Sequence, residues 1–142
     1  MNKKIIYLAI AMLPLFIMAT MPRELSFGAP VSSSGAPDEV TCANSGCHDD
    51  ALINNGKALL QAEVSSGITK YVPGKTYPIT VRISEPGINR FGFQIVALKN
   101  SDHANAGEMS ITDGLRTQII SNDIALPDRK YVTYTYQGTE PF

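Results

Sequence analysis

Short segments in which apolar and polar residues alternate constrain the fold of this chain more than any other feature. In residues 77–84, Tyr77, Ile79, Val81 and Ile83 alternate with polar residues and one proline. Successive side chains of an extended strand point to opposite faces, so this segment has one apolar and one polar face. Similar segments recur along the chain and are bounded by turn residues. The alternation predicts an all-β fold.

Six segments are predicted as strands: residues 58–64, 77–84, 91–98, 109–112, 117–121 and 131–136. Short strands at this spacing are typical of an immunoglobulin-like β-sandwich, which we expect over residues 57–142. Gly92 predicts a bulge or a close approach of another group to the backbone. A sandwich of this kind has about seven strands, and little sequence follows residue 136. We therefore expect the sandwich to be truncated at its C-terminal end.

The N-terminal residues predict a secretory signal peptide. Lys3 and Lys4 precede an uncharged stretch, residues 5–19. This stretch is shorter than the about 20 apolar residues that a membrane span needs. Small residues at Ser26 and Gly28 favour cleavage after residue 28, although cleavage after Ala19 and an uncleaved N-terminal anchor remain alternatives. We expect an exported product that is periplasmic, cell-surface or secreted, with no membrane span after cleavage.

Composition excludes several classes of function. With 12 Lys and Arg against 13 Asp and Glu, the net charge is −1 and no basic face exists to bind nucleic acid. The sequence has no Gly-x-Ser-x-Gly, no His-Glu-x-x-His and no phosphate-binding glycine loop, so we do not expect an enzyme. Residues 29–41 contain two prolines, three consecutive serines and no apolar periodicity, which predicts a linker.

Residues 42–56 contain both cysteines of the chain, and Cys42, Cys47 and His48 form a Cys-x4-Cys-His pattern. In c-type haem attachment, two thiols bind the haem vinyl groups and the following imidazole binds the iron, so haem c is one interpretation. A Cys42–Cys47 disulfide is the second, because paired cysteines in small exported domains are usually bonded. A metal site that adds Asp49 or Asp50 is the third.

A haem iron held by His48 has a sixth coordination position, for which the sequence offers His103 and Met109. His103 lies in a polar loop, where solvated histidines are common, and Met109 begins a predicted strand, where core packing is expected. Tyr134, in the last predicted strand, is expected to pack as an aromatic core residue.

Several runs of the chain resemble one bacterial family: residues 35–42, 47–48, 71–77, 80–87, 90–98 and 131–135. In order and content they are similar to the bacterial reeler-like domain, also described as the choice-of-anchor V exported proteins. The resemblance implies an immunoglobulin-like sandwich on an exported or surface protein. Many relatives carry Cys-x-x-Cys-His before the first strand, which implies haem attachment at Cys42, Cys47 and His48. This chain has four residues between its cysteines, and Tyr134 stands where relatives often have histidine.

These observations predict an exported β-sandwich module that carries haem c and transfers electrons to a redox or cell-surface partner. The alternative is a non-enzymatic surface or adhesion module in which Cys42 and Cys47 form a structural disulfide. The haem interpretation requires His48, whereas the disulfide interpretation does not.

Overall fold

A computed structural model describes residues 27–43, 48–49, 52–64, 70–121 and 123–140. Within these ranges the chain forms strands and one 3-10 turn, with no α-helix, which confirms the predicted all-β character. The predicted signal peptide, residues 1–28, falls almost wholly outside them. The elements are β1 (Leu59–Val64), β2 (Ile79–Ser84), β3 (Gln94–Ile95), β4 (Thr117–Ile120), β5 (Tyr131–Tyr134) and the 3-10 turn Gln137–Thr139.

The strands form two antiparallel sheets. β1 pairs with β2 in a two-stranded ribbon, and β5 lies between β3 and β4 in a three-stranded sheet. The ribbon contains β2 and the three-stranded sheet contains β5. Both strands coincide with predicted segments of clear apolar–polar alternation. Their bounds agree with the predicted ones to within two residues.

The ribbon of β1 and β2 is amphipathic. Residues directly opposite in an antiparallel pair share a face, and Ala62 pairs with Val81 at the centre. The opposite face carries polar side chains such as Gln61 and Arg82. Leu60 is 65% exposed, so the apolar face is open to solvent rather than buried as the alternation predicts. The six residues of this apolar face are Leu60, Ala62, Val64, Ile79, Val81 and Ile83.

The three-stranded sheet contains the most buried side chains. Tyr131 and Thr133 of β5 are 0% exposed and lie on one face. Val132 lies on the other face, opposite Ile95 of β3 and Ile119 of β4. Alternation along β5 places Tyr134 on the Val132 face. The core of the described chain is therefore on the Tyr131 face, which the residues before Cys42 cover.

Two predicted strands differ from the structure. The segment 91–98 forms a strand only at β3, with one isolated bridge from Leu98 to Asn105. At its start the Phe91 amide donates to the Thr139 carbonyl, 3.1 Å away, instead of to a strand. Gly92 packs against the Tyr134 ring, where a Cβ atom would lie 2.5 Å from Cε1, so the predicted close approach is confirmed. Residues 109–112 form no strand, and Met109 lines a cavity of about 170 Å³ with Glu108 and Lys130 among its walls.

Candidate functional site

Residues 27–41 lie against the three-stranded sheet before the chain reaches Cys42. The Ala29 amide donates to Thr133 Oγ1 at 3.2 Å. Gln94 of β3 binds the segment twice, since Nε2 donates to the Pro30 carbonyl at 2.7 Å and Oε1 accepts from the Ser33 amide at 2.9 Å. The sequence predicts a linker over residues 29–41 of this segment. In the structure they form no named strand, yet they cover the buried face of β5.

The end of this segment is a closed turn. Ser34 and Thr41 form an isolated antiparallel bridge, and the Gly35 amide donates to the Val40 carbonyl at 3.0 Å. Gly35 has a φ of 75°, which glycine adopts without steric cost. Cys42 follows the bridge directly, and its Sγ donates to the Ser33 carbonyl at 3.5 Å. We call residues 34–41 the anchored turn, and Cys42 therefore lies at its base.

A polar cluster fixes this turn to β5. We define the cluster as Ser32, Ser34, Glu39, Arg129 and Tyr131. Arg129 Nη1 lies 2.6 Å from Glu39 Oε1, and their side chains are 7% and 0% exposed. Tyr131 donates its hydroxyl to the same oxygen at 2.8 Å, and Ser34 Oγ donates to Glu39 Oε2 at 2.5 Å. Ser32 Oγ lies 3.0 Å from the Tyr131 hydroxyl. The buried carboxylate is thus held by one cation and two hydroxyl groups.

Hydrogen bonding decides the ionisation of the polar cluster. Burial acts to raise the pKa of Glu39, but hydrogen bonds from Ser34, Arg129 and Tyr131 outweigh it and hold that pKa below its ordinary value of 4.5. Burial raises the pKa of Tyr131 above its ordinary value of 10.0, and the Glu39 charge adds to this despite the opposing hydrogen bond from Ser32. The cluster is therefore most stable with an ionised Glu39 and a neutral Tyr131.

These shifts predict a defined pH range of stability. Glu39 has a lowered pKa in the folded state, so its contribution is present above about pH 4.5 and is lost as the pH falls through the folded pKa. Tyr131 has a raised pKa, so its contribution is present below about pH 10 and is lost at more alkaline pH. We expect urea unfolding midpoints to be highest between these limits. A Glu39→Gln variant should show a weaker decline in acid, and an equal decline would contradict the assignment.

The Cys/His segment lies beyond the anchored turn. Cys42 and His48 are exposed, as is Asp49. Cys47 and Asp50 lie outside the described residues, so the predictions that involve them stay predictions. Large apolar side chains flank the segment in solvent: Val40 is 47% exposed before it, and Leu52 is 79% exposed after it. The Cys42 thiol and the His48 imidazole are thus both accessible to water.

The structure places the two proposed sixth ligands, His103 and Met109, and the predicted core residue Tyr134 in different parts of the chain. His103 lies beside the anchored turn, with Nδ1 3.8 Å from Asp38 Oδ2. Met109 lines the cavity beside Lys130. Tyr134 lies on the face of the sheet opposite Tyr131, with its ring on Gly92, and so packs as predicted. Of the three, the contacts bring His103 to the segment that leads into Cys42.

Within the described ranges, no group of three or more His, Cys, Asp and Glu side chains is arranged to hold a metal ion. The same residues contain no helix with the length and apolar character needed to cross a membrane. The sequence matches no protein-family model, and neither a curated protein nor a solved structure shows detectable similarity to it.

Sequence reasoning missed the polar cluster. Glu39 and Arg129 are 90 residues apart, and neither lies in a pattern that predicts a buried ion pair. Tyr131 begins the predicted strand 131–136, but the contact of its hydroxyl with Glu39 was not foreseen. The only local signal was the Asp38 and Glu39 pair in an otherwise uncharged segment. Partners so distant in sequence become visible only after folding.

Proposed function

We propose that this chain is an exported β-sandwich module that carries one covalently attached haem c and transfers electrons. The observation that carries the proposal is the Cys-x4-Cys-His pattern, which begins at the base of an anchored turn. Cys42 and His48 are both accessible there, as attachment to a large cofactor requires. The pattern alone is compatible with other chemistry, and the exposed apolar residues around it favour a planar apolar ligand.

The residue types fit the group. The Cys42 and Cys47 thiols would form the thioethers, and the His48 imidazole would bind the iron as the proximal ligand. The macrocycle would cover apolar side chains that are now about half exposed or more: Val40, Leu52 and Ile53. When bound, haem supplies reversible one-electron chemistry, and the protein contributes ligands, polarity and position. No other catalytic side chain is needed.

We place the signal peptide within residues 1–28 and assign the sheets to a reeler-like, immunoglobulin-like sandwich. The apolar face of the β1–β2 ribbon supports this, because sandwich sheets bury one apolar face each. Ile119 on the Val132 face is 40% exposed and offers a matching apolar surface. Export also brings the chain to the compartment in which c-type haem is attached.

A non-enzymatic surface or adhesion module is the second candidate function. The exposed apolar face of the ribbon favours it, since exposed apolar patches commonly mark sites of protein interaction. In this function Cys42 and Cys47 form a structural disulfide that closes a short loop. His48 then has no chemical role, which separates the two candidates experimentally.

Substitution of His48 tests the proposal. We expect the full-length chain, exported from a bacterial host that supplies the c-type haem maturation proteins, to show the absorption spectrum of covalently attached haem. His48→Ala should abolish this spectrum, because the proximal ligand is lost. The matched control is Asp49→Ala, which changes the neighbouring exposed residue and should leave the spectrum unchanged.

The outcomes separate the candidates. A colourless wild-type protein would reject haem in favour of the disulfide module. A coloured wild type with an identical His48→Ala spectrum would reject His48 as the iron ligand. Circular dichroism of both variants should match the wild type, because these exposed residues contribute little to packing.

A further inference from the structure

The first residues that the structure describes lie against the three-stranded sheet. Gln118 of β4 donates through Nε2 to the Phe27 carbonyl, and the same nitrogen donates to the Tyr134 carbonyl of β5 at 2.9 Å. The Phe27 ring lies 5.9 Å from the Tyr136 ring, within the range of favourable aromatic pairs. The sequence favours removal of Phe27 and Gly28 with the signal peptide, yet both residues contact the sheet.

Gly28 occupies a place that suits glycine alone. Its φ is 122°, a value that residues with a side chain rarely adopt. A Cβ atom there would lie 2.8 Å from Gln118 Nε2, 3.1 Å from Thr133 Cγ2 and 3.3 Å from the Tyr134 carbonyl oxygen. Thr133 is 0% exposed, and closely packed interiors have no room to move such a neighbour aside. The glycine at position 28 therefore has a structural explanation besides the small residue that a cleavage site needs.

Cleavage after residue 28 would turn the Ala29 amide into the chain terminus. Ala29 is 8% exposed, and its amide donates to the Thr133 hydroxyl at 3.2 Å. That hydroxyl donates in turn to the Phe93 carbonyl at 2.7 Å. A terminal ammonium group is charged near neutral pH, and its burial is costly unless a counter-charge compensates it. Because the Thr133 hydroxyl is neutral, this position suits a peptide amide better than an ammonium group.

The contacts of Phe27 and Gly28 continue directly into the segment that covers β5. Gln94 Nε2 donates to the Pro30 carbonyl at 2.7 Å, and Gln94 Oε1 accepts from the Ser33 amide at 2.9 Å. Residues 27–33 therefore follow the sheet as one continuous stretch. A cut after residue 28 would remove the first two members of this stretch and leave the Gln118 amide without its Phe27 acceptor.

We infer that the exported chain is processed before Phe27, so that Phe27 and Gly28 stay in the mature protein as part of its folded domain. The inference rests on the export in the proposed function and does not depend on haem attachment. Cleavage after Ala19, an alternative that the sequence leaves open, satisfies it. Gly28 then serves the packing of the mature chain against β4 and β5.

N-terminal sequencing of the full-length chain, exported from a bacterial host, tests the inference directly. We expect a processed chain that begins at Phe27 or at an earlier residue. A chain that begins at Gly28 or later would overturn the inference alone, because the proposed export would still stand. An unprocessed chain would overturn the proposed signal peptide, and the inference with it.

The variant Gly28→Ala separates a structural role of this glycine from a role in processing. Alanine is as small as a cleavage site requires, so a cut after residue 28 would still occur and would remove the substitution. The mature variant would then equal the wild type in mass and in urea midpoint. We expect instead a mature chain heavier by one methylene group and a folding equilibrium constant about ten-fold smaller, because alanine is strained at a positive φ.

Gly74→Ala is the matched control. Gly74 has a φ of 78°, and a Cβ atom there would meet no described atom within 4 Å. This variant measures backbone strain without a steric clash, so its midpoint should fall less than that of Gly28→Ala. The mass is read on denatured protein and does not depend on folding. A Gly28→Ala protein with the wild-type mass would overturn the inference.

Discussion

Replacing Arg129 with methionine is expected to destabilise the protein by about 3–5 kcal/mol, because the substitution leaves the Glu39 carboxylate buried without its cation. Arg129 also donates to the Pro37 carbonyl at 2.7 Å, and that acceptor would lose its partner. Domains of this size have total stabilities of about 5–15 kcal/mol, so the variant should be near the limit of folding. Urea denaturation at pH 7 measures the loss as a lower midpoint.

Two further variants make this result specific. Lys130→Met removes the neighbouring cation, which is exposed, and should cost less than about 0.5 kcal/mol. Arg129→Met combined with Glu39→Gln removes both charges and keeps an amide that can accept the hydroxyl hydrogen bonds. We expect the double variant to be more stable than Arg129→Met alone. Equal losses for Arg129→Met and Lys130→Met would contradict a stabilising role for the buried pair.

Removing the cysteines is expected to have the largest functional effect. In the haem-carrying protein, Cys42→Ala or Cys47→Ala leaves one thioether and lowers the yield of covalent haem, and the double variant retains none. The protein should still fold, because Cys42 is exposed and the polar cluster does not involve its side chain. Intact mass and absorbance per mole of protein measure the loss.

The disulfide alternative predicts a different pattern for the same variants. Closing a loop of about six residues stabilises a fold by about 2 kcal/mol, so each single variant and the double variant should be equally destabilised. None of them should differ from the wild type in colour. That pattern would contradict haem attachment, whereas graded loss of colour with unchanged unfolding midpoints would support it.

The alternation of apolar and polar residues predicted much of the fold. β1, β2 and β5 match predicted segments because their sequences have a local period of two. β4 also coincides with a predicted segment, although its sequence does not alternate. The segment 91–98 was predicted as a long strand, but the Phe91 amide pairs with the distant Thr139 carbonyl and Gly92 packs on Tyr134. Long-range contacts of this kind leave no local pattern, so the shortening of this strand could not be read from the sequence.

The candidate site was predictable only in part. Cys42 and His48 could be selected because their residue types and spacing have a chemical meaning. His103 was one of two candidates for the sixth ligand, and only its contact with Asp38 distinguishes it from Met109. The packing of residues 27–41 was not predicted, since prolines and serines indicate a linker. Residues 27–41 pack against the sheet through hydrogen bonds to β3 and β5 that join residues far apart in sequence.

The most direct measurement is the intact mass of the exported full-length chain under denaturing conditions, made in a host with the c-type haem maturation proteins. Denaturation removes any haem that is bound only by ligation, so a retained group must be covalent. The account predicts a mass equal to that of the processed chain plus one haem, with the absorbance of haem in the same chromatographic peak. A colourless chain lighter by two hydrogens than its reduced form would contradict the account and establish the Cys42–Cys47 disulfide.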